Sequence, residues 1–142
     1  MGYFESSLTV RYVETDQMGI AHHSNYFAWF EVGRTDFIAS AGIRYSQVEE
    51  MGVLMPLVHC DCRFLKGAKY EDSLLIRTSI NELKYSSIAF LYELFFQPEQ
   101  VKLAEGHTRH AFTNKNLQPI SLKKNHPLLW EKFQALNHST GS

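Results

Sequence analysis

Asn25-Tyr26-Phe27-Ala28-Trp29-Phe30-Glu31-Val32-Gly33-Arg34-Thr35-Asp36-Phe37-Ile38-Ala39-Ser40-Ala41 is the stretch that decides the architecture. Tyr26, Phe27, Trp29, Phe30, Phe37, Ile38 and Ala41 recur at helical spacing and form one broad apolar surface, with Glu31 and Asp36 off its centre. Ser24 suits the N-cap, and Gly42 suits a position just past the C-terminal end. A long helix with so wide an apolar surface needs a cover, and the flanking sequence says what that cover is.

Upstream, Leu8, Val10 and Tyr12 alternate with Thr9, Arg11 and Val13, the pattern of a strand, before turn-forming residues from Glu14 to Ser24 that include Gly19. Downstream, Ser46-Gln47-Val48-Glu49 matches a capping box for a short helix ending near Gly52. Strand periods then dominate. Val58, Cys60, Cys62 and Phe64 alternate with His59, Asp61 and Arg63, and Leu74, Ile76, Thr78 and Ile80 make a second set. Ile88 to Phe96 is apolar on both faces, as a strand in mid-sheet would be. Pro98-Glu99-Gln100 provides a hairpin turn into a more polar strand from Val101 to Thr113. Pro127 suits the start of a last helix whose apolar face holds Leu128, Leu129, Trp130, Phe133 and Leu136. A strand, a long helix and then about four antiparallel strands is an α+β order, and the sheet buries the helix most simply by wrapping around it.

The 142 residues suit one domain, 1–142, with 44% hydrophobic and 13% aromatic residues to fill its core. Fourteen Lys and Arg against fifteen Asp and Glu give a formal charge of -1, which argues against nucleic acid or an anionic membrane as the main partner. No run approaches the roughly 20 apolar residues of a membrane span. Met1 to Thr9 lacks the basic-then-apolar pattern of a signal peptide, so a cytoplasmic location is expected. The sequon Asn137-His138-Ser139 then carries no glycan. Cys60 and Cys62 would share a strand face about 6.6 Å apart along the chain, awkward for a disulfide, so two buried or half-buried thiols are expected.

Asp16 stands in the loop just before the amino end of the long helix. The first N–H groups of a helix lack internal partners and carry partial positive charge, which polarises a carbonyl and stabilises an oxyanion. A carboxylate beside them can attack that carbonyl or activate water against it. On residue chemistry alone, an Asp with a Gly three residues later is more often a turn.

The run from Tyr12 to Phe37 resembles the signature of the 4-hydroxybenzoyl-CoA thioesterase family, in its broad acyl-CoA thioesterase branch. The matching pieces are Glu14-Thr15-Asp16-Gln17-Met18-Gly19, His23-Ser24-Asn25-Tyr26 and Trp29-Phe30-Glu31. Tyr70-Glu71-Asp72-Ser73-Leu74 and Ala104-Glu105-Gly106 extend the likeness along most of the chain. The resemblance implies a hotdog fold, an antiparallel sheet of about five strands wrapped around a long central helix. It also implies dimers or tetramers with active sites at subunit interfaces. It makes Asp16 the catalytic nucleophile or general base, His23 the residue whose backbone N–H polarises the thioester carbonyl, and Tyr26 the signature tyrosine. Glu31 falls at an acidic helix position whose usual role is a solvated one. Lys84 and Ser87, at a hairpin in Lys84-Tyr85-Ser86-Ser87, fall where relatives meet the coenzyme A phosphates, with Lys66 and Lys69 as added charge nearby. Gly67 stands where many relatives have Pro.

The expected activity is hydrolysis of an acyl-CoA, or of an acyl-carrier-protein thioester, without metal or redox cofactor. His107 and His110 are three apart, but on a strand that sends them to opposite faces, and no His-Glu-x-x-His or paired-cysteine motif occurs. No Gly-x-Ser-x-Gly and no phosphate-cradling glycine loop occurs either. Two alternatives stand beside it. A hotdog enoyl-CoA hydratase or dehydratase would pair Asp16 with His22 or His23, although the Asn-Pro of that pairing is missing. A non-catalytic acyl-CoA binder would not need the carboxylate. Phe30, Phe64, Phe90 and Phe112 are read as core.

Overall fold

The structure, a computed structural model, describes residues 2–139. Met1 and residues 140–142 of the expected domain, and the side chains of His138 and Ser139 in the sequon, lie outside that description. Five antiparallel strands form one sheet: β1 Phe4–Thr9, β2 Leu57–Phe64, β3 Ser73–Lys84, β4 Ser87–Phe96 and β5 Val101–Ala111, in the spatial order β1-β3-β4-β5-β2. The long helix α1, Ser24–Ala39, lies on the sheet's inner face. Three shorter helices complete the chain: α2 Tyr45–Glu50, α3 Leu122–Asn125 and α4 Pro127–Ser139. This is the α+β hotdog arrangement. No helix among the described residues is long and apolar enough to cross a membrane.

The apolar surface of α1 is used as its spacing requires. Tyr26, Trp29, Phe30, Phe37 and Ile38 are buried, and Phe30 stacks on Tyr92 of β4 with ring centroids 4.7 Å apart. Burying a side chain such as Phe30 or Ile38 contributes about 1.5–3 kcal/mol. Two glycines let the helix approach the strands. A Cβ on Gly33 would stand 2.5 Å from Thr78 Oγ1, and one on Gly106 would stand 2.6 Å from Phe30 Cε2 and 2.7 Å from the Asp61 carbonyl oxygen. Backbone at Asp61 cannot swing aside as a flexible side chain can, so Gly106→Ala should destabilise the fold by about 1–3 kcal/mol. Chemical denaturation measures this, and an unchanged midpoint would contradict it.

A buried polar group anchors the helix to β5. His110 donates from Nδ1 to the Met55 carbonyl (3.1 Å) and accepts at Nε2 from Arg34 Nη1 (3.1 Å) and the Thr108 hydroxyl (3.0 Å). Tyr92 donates its hydroxyl to Thr108 Oγ1 at 2.6 Å. Burial, and then the Arg34 charge, push the His110 pKa down to about 4, so the imidazole is neutral and its tautomer fixed. His107 faces outward against Asp61 at 3.0 Å, the opposite-face arrangement that the strand spacing implied.

Several local expectations are corrected. The first strand runs from Phe4 to Thr9, and Tyr12–Glu14 form a 3-10 turn. The N-cap is His23 rather than Ser24, and α1 starts at Ser24, whose N–H is taken by His22 Nδ1 at 3.2 Å. The short helix is capped at Arg44, whose N–H donates to Gln47 Oε1 at 2.8 Å, instead of at Ser46. Cys60 is exposed and Cys62 half-buried, and neither is bonded to the other. Phe30, Phe90 and Phe112 are fully buried, but Phe64 is 49% exposed and is not core.

The strand β2 is the anomaly of the fold. It ends the sheet, pairing with β5 on one side only, and almost every one of its residues is exposed, Leu57, Val58 and Phe64 among them. A long uncovered apolar edge is a pairing surface.

Candidate active site

The loop from Arg11 to His22 folds back on itself before α1. Thr15 bridges Ala21, the Asp16 N–H donates to the Ile20 carbonyl at 2.9 Å, and the Gly19 N–H donates to the Asp16 carbonyl at 3.0 Å. Gly19 carries the turn at φ +77°, a conformation that L side chains rarely adopt. Asp16 does both things its chemistry allows. Oδ1 accepts from the Met18 N–H (2.8 Å) and the Ile20 N–H (3.3 Å), the turn role that residue chemistry favours. Oδ2 has no hydrogen-bond partner among the described residues, and the side chain is exposed.

At the helix end of the loop His23 is the N-cap of α1. Its N–H makes no hydrogen bond among the described residues, while those of Ser24, Asn25 and Tyr26 are each taken by His22 or His23. The His23 ring lies against His22, centroids 4.1 Å apart, and edge-on to Phe64 at 6.4 Å. The His23 N–H is therefore the free donor at the positive end of a sixteen-residue helix.

A pocket of about 230 Å³ opens beside it, walled by Ile20, His23, Tyr26, Phe64, Lys66 and Gly67. Tyr26 is buried, its ring 4.9 Å from that of Phe64, and its hydroxyl accepts the Ala68 N–H at 3.4 Å. Burial raises its pKa, so the phenol stays protonated at neutral pH. Gly67 is accounted for by Ile20: a Cβ there would meet Ile20 Cγ2 at 2.7 Å, so the isoleucine fills the space that a proline ring would need.

Lys84 and Ser87 do lie at the β3–β4 hairpin, but at the end of the sheet away from this pocket. Lys69 bridges Ile20 near the Ser73 end of β3, and Lys84 closes the other end of that twelve-residue strand, roughly 35 Å away at the usual rise per residue. Lys84 Nζ stands 3.7 Å from Glu82, and Ser87 accepts from Arg109 Nη1 at 3.2 Å. Lys66 and Lys69 belong to the pocket end and not beside Lys84, which corrects their expected grouping. Glu31 is exposed, 3.9 Å from Arg34.

Sequence reasoning assigned no role to Glu14 or to the side chain of Asn25, yet both build this loop. Glu14 is buried and accepts from the Arg11 N–H at 2.8 Å and from Trp29 Nε1 at 2.9 Å. Asn25 Nδ2 donates to the Glu14 carbonyl at 2.8 Å and to the His22 carbonyl at 3.1 Å. Their only advance signal was membership of the quoted signature. Phe64 escaped because its alternation looked like that of a core residue.

Residues 10–128 match the family model described as the thioesterase-like superfamily. A Bacillus subtilis (strain 168) protein provisionally named acyl-CoA thioesterase YneP is 31% identical over 123 residues, covering 87% of this chain and 89% of its own. The DHNA-CoA thioesterase of Staphylococcus aureus superposes with a TM-score of 0.88 at 29% identity, covering 98% of this chain and 95% of that one. The hypothetical protein TT1821 of Thermus thermophilus superposes at 0.86 with 32% identity, covering 95% and 98%. The loop that carries a free carboxylate oxygen and leads into a free helix N–H thus belongs to a chain of the thioesterase-like superfamily, a thioester hydrolase of the hotdog fold.

Proposed function

We propose that the chain hydrolyses an acyl-CoA to a free carboxylic acid and coenzyme A, in the manner of the broad acyl-CoA branch of the 4-hydroxybenzoyl-CoA thioesterase family. The observation that carries this reading is the unpartnered N–H of His23, a residue that lines the pocket, at the helix end of a folded-back loop that also carries the free Oδ2 of Asp16. In this reading the thioester oxygen accepts from the His23 N–H, which stabilises the developing oxyanion. Asp16 either attacks the carbonyl carbon or takes a proton from the water that does. The C–S bond then breaks, coenzyme A leaves as thiol, and water's oxygen ends in the acid. Tyr26 forms the wall that confines the acyl group.

The pocket is small against the roughly 300–1,000 Å³ of a typical ligand site. We infer a homodimer, or a tetramer of such dimers, in which a second copy completes it. Antiparallel pairing of β2 with β2 of the partner would cover the exposed edge. It would also bring the partner's Leu57 end against this chain's Phe64. The Leu57 end lies beside the β3–β4 hairpin, because Leu57 pairs with His110 and Ser87 with Ala111. Lys84 and Ser87 would thereby meet the coenzyme bound at the other subunit's pocket, which a single chain does not allow. Unpaired thiols at Cys60 and Cys62 suit a cytoplasmic enzyme.

Lys84→Ala should then raise KM for acyl-CoA about 2- to 5-fold at low salt with little loss of kcat. Added salt should shrink the effect. An unchanged KM at low salt would leave Lys84 as a solvated hairpin residue. Free-thiol release across short, long and aromatic acyl-CoAs, with an acyl-carrier-protein thioester alongside, tests the reaction and assigns the donor. No release from any of them would favour a hydratase or a binder.

A further inference from the structure

Glu14 precedes Asp16 by two residues, but its side chain turns inward where that of Asp16 turns out. Its carboxylate accepts three hydrogen bonds: from the Arg11 N–H on Oε1 at 2.8 Å, from Trp29 Nε1 on Oε2 at 2.9 Å, and from Arg11 Nη2 on Oε2 at 3.3 Å. Its backbone carbonyl accepts from the His22 N–H at 2.8 Å and from Asn25 Nδ2 at 2.8 Å. One residue thus ties the loop's first limb, its last limb and the first two turns of α1 together. The hydrogen bonds of Asp16 all stay inside the loop, to Met18, Gly19 and Ile20. The Glu14 side chain joins the loop's first limb to Trp29 in the second turn of α1, while His22 ties the last limb to Ser24 and Asn25.

We propose that Glu14 is a positioning residue for thioester hydrolysis, one that never touches substrate but holds the Asp16 loop against α1 so that Asp16 and the His23 N–H converge on one carbonyl. The inference rests on the Asp16 reading given above. Burial by itself would raise the Glu14 pKa, but the hydrogen bonds from the Arg11 backbone, from Trp29 and from the Arg11 side chain outweigh it and hold the carboxyl below the usual range. The group is ionised at neutral pH, and an acceptor-only carboxylate is what three converging donors require. A glutamine there keeps the volume but turns an NH₂ toward at least one donor, which loosens the attachment without opening a cavity. Reacting groups tolerate little of that: a displacement of about 1 Å can cost up to roughly 10²-fold in rate.

Glu14→Gln should fold, keep KM within about 2-fold and lose kcat by about 10-fold or more. Trp29→Phe, which deletes one of the donors, should shift kcat in the same direction. In an Asp16→Asn background Glu14→Gln should cost nothing further, because its effect passes through Asp16. Wild-type kcat in folded Glu14→Gln would overturn the inference, as would an equal loss with and without Asp16. Should Glu14→Gln not fold, Trp29→Phe decides, and wild-type kcat in that variant overturns the inference. A slow Asp16→Asn beside a fast Glu14→Gln defeats this inference alone, whereas a fast Asp16→Asn defeats the reading beneath it.

Discussion

Asp16→Asn is expected to fold normally, bind acyl-CoA and lose kcat by about 10²-fold or more. The side chain is exposed, and its structural work is done by Oδ1, which accepts the Met18 and Ile20 N–H groups. Asparagine keeps a carbonyl oxygen for that role, so the turn survives. What it removes is the negative charge on the oxygen that has no partner, and with it the nucleophile or base. A 10²-fold loss corresponds to about 2.7 kcal/mol of transition-state stabilisation, more than an exposed substitution costs by accident. Steady-state kinetics with a thermal melt of the same preparation separates lost chemistry from lost folding. A melt lowered in step with activity would instead make Asp16 a turn residue and nothing more.

The second large effect is expected at the sheet edge. Val58 is 58% exposed on an edge strand whose outer side has no strand partner among the described residues, so Val58→Glu removes nothing from the core of one chain. If two copies pair through β2, the substitution sets two carboxylates into one interface, and like charges there are costly. The variant should run as a folded monomer and lose kcat/KM by about 10²-fold, because half of each site is gone. Light scattering at assay concentration measures the state. A wild type that is an active monomer, or a Val58→Glu monomer with full activity, would contradict the shared site.

Much of the fold was legible because the deciding signals are periodic and local. Helix α1 shows its buried face at helical spacing, and the long apolar run of β4 lies third of five strands, in mid-sheet as its composition implied. The failures have identifiable causes. Val10 and Tyr12 continue the alternation of β1, but the ladder ends at Thr9, and Glu14 bonds back to the Arg11 N–H to close a 3-10 turn. Ser24 has the chemistry of a cap, yet His22 Nδ1 takes its N–H and starts the helix one residue early. In β2 the alternation implies a buried face that a single chain leaves uncovered.

The site was less legible than the fold. Asp16, His23 and Tyr26 came from the resemblance, since the residues alone favoured a turn at Asp16. Lys66 and Lys84 lie eighteen positions apart and look like neighbours, but β3 carries them to opposite ends of the sheet. Glu14 was hidden because no periodicity reports on a carboxylate buried inside a turn.

The central claim is tested most directly by free thiol released from a saturated acyl-CoA, measured for purified wild type and Asp16→Asn side by side. A hydratase has no double bond to act on in that substrate, and a binder releases nothing. The account predicts catalytic thiol release by the wild type, one free acid formed per thiol, and about 10²-fold slower release by the folded variant. Equal rates for the two proteins, or no release by the wild type from any chain length, would contradict it.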